Sequence, residues 1–153
     1  MKMYYDTGVL LPLYIEEAFS DALSRIVEER AEPIALNLVQ ETEFENAVRL
    51  KVFRHELSVA RAKEIMVARD EDLRVGRLIR RPVNWNQAFE ETRRLGESAT
   101  VKTGCRTLDL LHVAIALKWG CTEFASADIR QLQVARMAGM KVLDVATRSK
   151  GSG

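Results

Sequence analysis

The sequence predicts an α/β fold, a mainly parallel sheet with helices on both faces. Three observations carry this. Short apolar runs alternate along the chain with longer segments in which apolar residues recur three and four apart. Only 8 Gly and 3 Pro interrupt 153 residues, so elements are long and connections short. A hydrophobic content of 47% is enough to build a core. The length fits one domain of ordinary size, residues 1–148, followed by a tail at 149–153 whose Gly151-Ser152-Gly153 reads as a linker or expression scar.

The elements follow in order. Met3-Tyr4-Tyr5, ending at Asp6, reads as an inner strand. Phe19, Leu23, Ile26 and Val27 mark an amphipathic helix, which Glu32-Pro33 terminates. Ile34-Ala35-Leu36 is a second strand. Val39, Phe44, Ala47 and Val48 carry a helix to about Val52, and a further helix runs from about Leu57 to Leu73. Leu78-Ile79, just before Pro82, suits an edge strand. Trp85 to Leu95 is helical with Asn84 as its cap, and Gly96 to Gly104 reads as a loop. Leu108 to Leu117 is a helix apolar on most sides, hence buried. Thr122 to Ser126 is a strand. Asp128 opens a helix reaching Met137, Gly139 caps it, and Val142-Leu143 is a final strand.

Composition excludes several classes. With 23 basic and 22 acidic side chains the net charge is +1, so the chain is neither a basic tail nor an acidic one. Any affinity for nucleic acid must come from local arrangement. Cys105 and Cys121 are too few for a disulfide framework and lack partners at zinc spacing; Cys121 reads as a small buried hydrophobe. The N-terminus has no signal-peptide core, and the apolar runs Val9–Ile15 and Leu110–Leu117 fall well short of the roughly 20 residues of a membrane span. The expectation is a soluble, reduced, cytoplasmic protein with no membrane partner.

Most acids, such as Glu16, Glu17, Glu28, Asp70 and Glu90, read as solvated helix-face charges. Others stand at element boundaries. Asp6 follows the first strand, at the end of a sheet where ligands of open α/β folds bind; the bland alternative is a turn or cap residue. Asp128 mirrors it after a later strand, with helix capping as a strong alternative. Asp109 lies in the first turn of the most apolar helix, where the helix dipole favours an acid by about 0.3–1 kcal/mol. Its leucine neighbours imply burial, which is costly without a partner such as a metal ion. Glu43 lies early in the helix from Val39, and spacing alone does not separate it from Glu41 and Glu45. Carboxylates gathered at one end of a sheet repel one another, and a hard cation, Mg²⁺ or Mn²⁺, relieves that. Such sites activate water for phosphodiester hydrolysis.

Four segments then resemble one family. Tyr5-Asp6-Thr7-Gly8-Val9-Leu10, Glu43-Phe44-Glu45-Asn46-Ala47-Val48-Arg49, Arg106-Thr107-Leu108-Asp109-Leu110-Leu111-His112-Val113-Ala114 and Ser126-Ala127-Asp128-Ile129-Arg130-Gln131 occur in that order over nearly the whole chain. Together they resemble the PIN domain, and within it the VapC-type toxin ribonucleases. The resemblance implies a three-layer α/β/α fold with a parallel sheet of about five strands. It implies an Mg²⁺- or Mn²⁺-dependent endoribonuclease that cuts single-stranded RNA and leaves 5′-phosphate and 3′-hydroxyl ends. It selects Glu43 over its neighbours and implies an acidic pocket of Asp6, Glu43, Asp109 and Asp128, all binding metal directly or through water, with Glu43 binding metal or orienting the attacking water. Thr7, Asn46 and Ser126 are candidates to hold these acids. Gly8 stands where Ser or Asn is common in the family, and Ser126 where Thr is common; Ser keeps the hydroxyl. A protein antitoxin that inserts a side chain, often Arg, into the pocket and a homodimer are implied partners.

The stretch Leu73 to Phe89 holds Arg74, Arg77, Arg80 and Arg81 and no acid. With Trp85 it reads as a track for RNA backbone and a stacking platform, or equally as a solvated edge with Trp85 in the core. Arg80, Arg81 and Arg106 are the RNA-binding candidates. His112 reads as a satisfied core histidine. Two other functions compete: a PIN nuclease in RNA processing outside any toxin–antitoxin pair, which the lack of an adjacent reading frame for a DNA-binding protein would favour, and a catalytically degenerate binding module, which failure to bind Mg²⁺ or Mn²⁺ would favour.

Overall fold

A computed structural model of the chain describes residues 2–16 and 20–148. Glu17, Phe19 and the tail at 149–153 lie outside the described residues. The elements are β1 (Met3–Tyr5), α1 (Thr7–Leu10), a 3₁₀ turn (Leu11–Leu13), α2 (Ser20–Arg30), β2 (Ile34–Leu36), α3 (Leu38–Phe53) and α4 (Val59–Arg74). Then come β3 (Leu78–Arg80), α5 (Trp85–Thr103), α6 (Thr107–Lys118), β4 (Glu123–Ser126), α7 (Ile129–Met137), β5 (Lys141–Asp144) and α8 (Val145–Arg148). The fold is α/β with every strand pair parallel. The chain forms two compact units, residues 7–81 and residues 1–6 with 82–153.

The unit of residues 7–81 is built on the pair β2–β3, in register Ile34 with Leu78 and Leu36 with Arg80. Helices α3 and α4 connect the two strands, a crossover of the kind parallel pairing requires. Asn37 starts α3: its side chain accepts from the backbone N–H groups of Val39 and Gln40, and Gln40 returns a contact to the Asn37 backbone. Phe44, Val48 and Ile65 are buried from the helices, with Ile34, Leu36 and Leu78 from the strands.

The second unit holds the sheet β1–β4–β5, with β4 central. Tyr4, Phe124 and Ala125 are buried in it. Helix α6 is buried continuously from Leu110 to Ala116, as its nearly unbroken apolar sequence demands. Helices α5 and α7 pack against α6, and α7 also covers β4 and β5.

Two expectations are corrected. The five strands all form, but their hydrogen bonds divide them into a three-stranded and a two-stranded sheet instead of a single one. Periodicity marks a strand; its partner is a tertiary choice. The loop expected from Gly96 to Gly104 is instead the second half of α5. Ala88, Thr92, Leu95 and Ala99 are buried on one face, so the inward stripe continues across Gly96. Glycine costs about 1 kcal/mol against alanine in a helix interior, and packing of an amphipathic face outweighs that. Gly104, at φ 68, supplies the left-handed residue that ends the helix.

Candidate active site

The carboxyl ends of β1 and β4 lie side by side in the second unit. The Asp6 N–H donates to the Ala125 carbonyl at 3.0 Å, continuing the parallel ladder one residue beyond β1. Asp6 therefore leaves the sheet next to Ser126, the last residue of β4. The Ser126 hydroxyl, fully buried, donates to Asp6 Oδ2 at 3.1 Å and accepts from the Asp128 N–H at 3.0 Å. One side chain thus ties two of the sequence-predicted acids together.

Asp128 caps α7 by accepting from the Arg130 N–H at 2.8 Å and the Gln131 N–H at 3.4 Å. The capping alternative weighed from the sequence is present. Gln131 Nε2 in turn donates to the Asp109 carbonyl at 3.3 Å, joining the first turns of α6 and α7. Asp109 Oδ2 accepts from the Arg106 N–H at 3.1 Å. The burial expected of Asp109 is corrected: its side chain keeps 23% of its exposure and Leu108 beside it is exposed, because the first helical turn presents its N–H groups outward. Its partner is the helix end itself.

The electrostatics agree with this grouping. The Cys105 thiol is pushed up to about 11, first by burial and then by the negative charges of Asp109 and Asp128. Both carboxylates therefore act on one neighbourhood. His112, one turn beyond Asp109, places Nε2 3.9 Å from Asp6 Oδ1. Arg106 and Arg130 approach Asp109 and Asp128 from the solvent side at 3.6 and 3.8 Å.

The remaining site candidates belong to the unit of residues 7–81. Thr7 Oγ1 donates to Glu43 Oε2 at 2.5 Å. Asn46 is exposed one turn along α3 and lines a surface depression with Glu43, Glu45 and Arg49. The flanking acids are bound by arginines: Glu41 by Arg80 in a two-pronged contact at 3.0 and 3.1 Å, Glu45 by Arg49 at 3.1 Å and Arg69 at 3.4 Å. The arginine-rich stretch has no acid of its own in sequence, yet its members find acids elsewhere. Arg74 pairs with Glu71 and Arg77 with Asp72. Arg81 is half-buried and its N–H donates to the Leu36 carbonyl. Trp85 is half-exposed, 6.3 Å from the Phe89 ring.

Asp6, Asp109 and Asp128 offer oxygen donors alone, the chemistry that hard cations select. Gln131 Oε1 is buried and has no hydrogen-bond partner among the described residues. Among the described residues, however, no group of three or more His, Cys, Asp or Glu side chains stands placed to hold an ion. The donor type, oxygen alone, is the one Mg²⁺ and Mn²⁺ take.

Two contributors were not picked out from the sequence. Tyr4 is one; its position two residues before Asp6 on a strand, which puts both on one face, was the available signal. Gln131 is the other; Asp128-x-x-Gln131 has the spacing of a capping box, and the amide spans to α6 instead. No family model matches the chain, and no curated protein matches it.

Proposed function

We propose that the chain is a metal-dependent endoribonuclease of the PIN-domain type, acting as the toxin of a toxin–antitoxin pair. The three-layer α/β/α arrangement belongs to this reading. The observation that carries it is the hydrogen-bonded run Asp6–Ser126–Asp128 at the ends of two adjacent parallel strands, with Asp109 joined to it through Gln131. Mg²⁺ or Mn²⁺ would be held by Asp6, with Asp109 and Asp128 reached directly or through water; when bound, such an ion neutralises phosphate charge and lowers the pKa of water. Ser126 fixes the Asp6 carboxylate. Arg106 and Arg130, exposed at the starts of α6 and α7, would meet the RNA phosphate. The N-termini of those helices add partial positive charge there. Glu43, held by Thr7, is the fourth acid that the resemblance implies, with Asn46 one turn along α3. An antitoxin side chain such as Arg would compete for the same carboxylates, and a homodimer is part of the reading.

The test is RNA cleavage with Mg²⁺ or Mn²⁺, compared between wild type and Asp6→Asn. We expect a loss of about 10²–10³-fold, the size seen when one preorganised electrostatic contact is taken from a reaction centre. Glu43→Gln should also lose cleavage. Equal cleavage by Asp6→Asn and wild type defeats the assignment. End-mapping of the products should find 5′-phosphates.

A further inference from the structure

One buried polar side chain beside the acids has no task in the chemistry above. His112 is 2% exposed, in the most apolar helix of the chain. Its Nδ1 lies 2.8 Å from the Tyr4 hydroxyl, and its Nε2 lies 3.9 Å from Asp6 Oδ1. Tyr4 is held rigidly: its ring stacks on Phe124 at 5.4 Å and 8°, with Trp119 5.7 Å away on the same cluster.

A neutral imidazole carries one N–H, so the two ends of this contact are linked. With the proton on Nδ1, that nitrogen would donate to Tyr4 and the Nε2 lone pair would face the Asp6 carboxylate, acceptor against anion. With the proton on Nε2, Nδ1 accepts the Tyr4 hydroxyl proton and an N–H dipole points at Asp6. The second arrangement is favourable at both ends, and the low dielectric of a buried site enlarges the difference. We propose that His112, set in the Nε2–H tautomer by Tyr4, is a positioning residue for Asp6. It biases the Oδ1 side of the carboxylate while the Ser126 hydroxyl holds Oδ2. This is the role an outer partner plays for a metal-ligating group. Its consequence for cleavage rests on the nuclease reading; its tautomer does not.

Three measurements on the full chain test it: imidazole ¹⁵N shifts, Mn²⁺ titration calorimetry, and RNA cleavage. The variants are His112→Leu, His112→Gln and Tyr4→Phe, each checked for folding by thermal unfolding. Glutamine keeps an N–H donor near the Nε2 position. We expect wild type to show a protonated Nε2 and a bare Nδ1, and Tyr4→Phe to mix the tautomers. His112→Leu should weaken Mn²⁺ binding and kcat by about 10–100-fold with KM for RNA unchanged, and His112→Gln should recover to within about threefold of wild type. A proton on Nδ1 overturns the proposal. So does a folded His112→Leu with wild-type Mn²⁺ affinity, or a folded His112→Gln as impaired as His112→Leu. If His112→Leu does not fold, Tyr4→Phe decides, and unchanged Mn²⁺ affinity there overturns it. A wild type that binds Mn²⁺ but cuts no RNA sinks the nuclease reading alone, because Mn²⁺ affinity still decides the positioning role. A wild type that binds no Mn²⁺ overturns both.

Discussion

On α3 and α4, Glu41, Glu45, Glu71 and Asp72 each face a guanidinium at 2.6 to 3.1 Å. At the ends of β1 and β4, Asp6 and Asp128 meet the Ser126 hydroxyl and backbone N–H groups, Asp109 meets the Arg106 N–H, and the guanidinium nitrogens of Arg106 and Arg130 stand off at 3.6 and 3.8 Å. An arginine at contact distance cancels the carboxylate's charge and occupies its lone pairs. Hydroxyl and amide donors fix a carboxylate's direction and leave its net charge in place for a cation or for a competing guanidinium. The first group of acids is held by close ion pairs and the second mainly by hydroxyl and backbone N–H donors, with its arginines farther off.

The acid–arginine group has a pH signature. The Arg49 guanidinium beside Glu45 holds its carboxyl below the usual glutamate range. The stabilisation from that pair is present above the ordinary glutamate pKa and is lost as pH falls through the lowered folded value.

The contrast is sharpest at Ser126. Replacing it with Ala removes a side chain that touches both Asp6 and the Asp128 N–H, and Mn²⁺ affinity by calorimetry should fall about 10–100-fold. The stranded N–H should also cost about 1–3 kcal/mol of stability in a denaturant titration. Ser126→Thr, which keeps the hydroxyl, should retain more of the affinity. Affinity unchanged in Ser126→Ala would break the contrast, since the hydroxyl would then be mere packing.

Asp128 separates capping from ligand binding. Asp128→Ala should lower stability by about 0.5–2 kcal/mol through loss of the α7 cap, whereas Asp128→Asn should leave stability nearly unchanged. Both should lose Mn²⁺-dependent RNA cleavage. Full cleavage by Asp128→Asn would leave this acid with capping alone.

The smallest effect is expected at the paired arginines. Arg80→Ala should cost about 0.2–1 kcal/mol of stability, typical of an exposed ion pair, and should leave KM for RNA unchanged. A clear rise in KM would move Arg80 from ion pairing into substrate binding.

Much of the fold was legible in the chain. Asn84 caps α5 through the Gln87 N–H, and the Leu78-Ile79 strand before Pro82 is there. These features depend on neighbours within a few residues. Gly96 misled because a local helix-breaking preference of about 1 kcal/mol is smaller than the packing of Leu95 and Ala99. The counter-charge of Arg80 was not legible, because Glu41 lies 39 residues away in the chain. At the site, the strand-end positions of Asp6 and Asp128 were readable from alternation and capping patterns. The 120-residue reach from Ser126 to Asp6 was not.

The sequence alone determined the α/β class, the order of strands and helices, and which acids stand at strand and helix ends, because apolar period and cap chemistry are written locally. Tertiary structure alone decided that the strands divide three and two, that α5 runs through Gly96, and that Asp6, Ser126, Asp128 and the Tyr4–His112 pair meet. Those outcomes depend on which surfaces pack and which charges find partners far along the chain, and short-range patterns do not encode that.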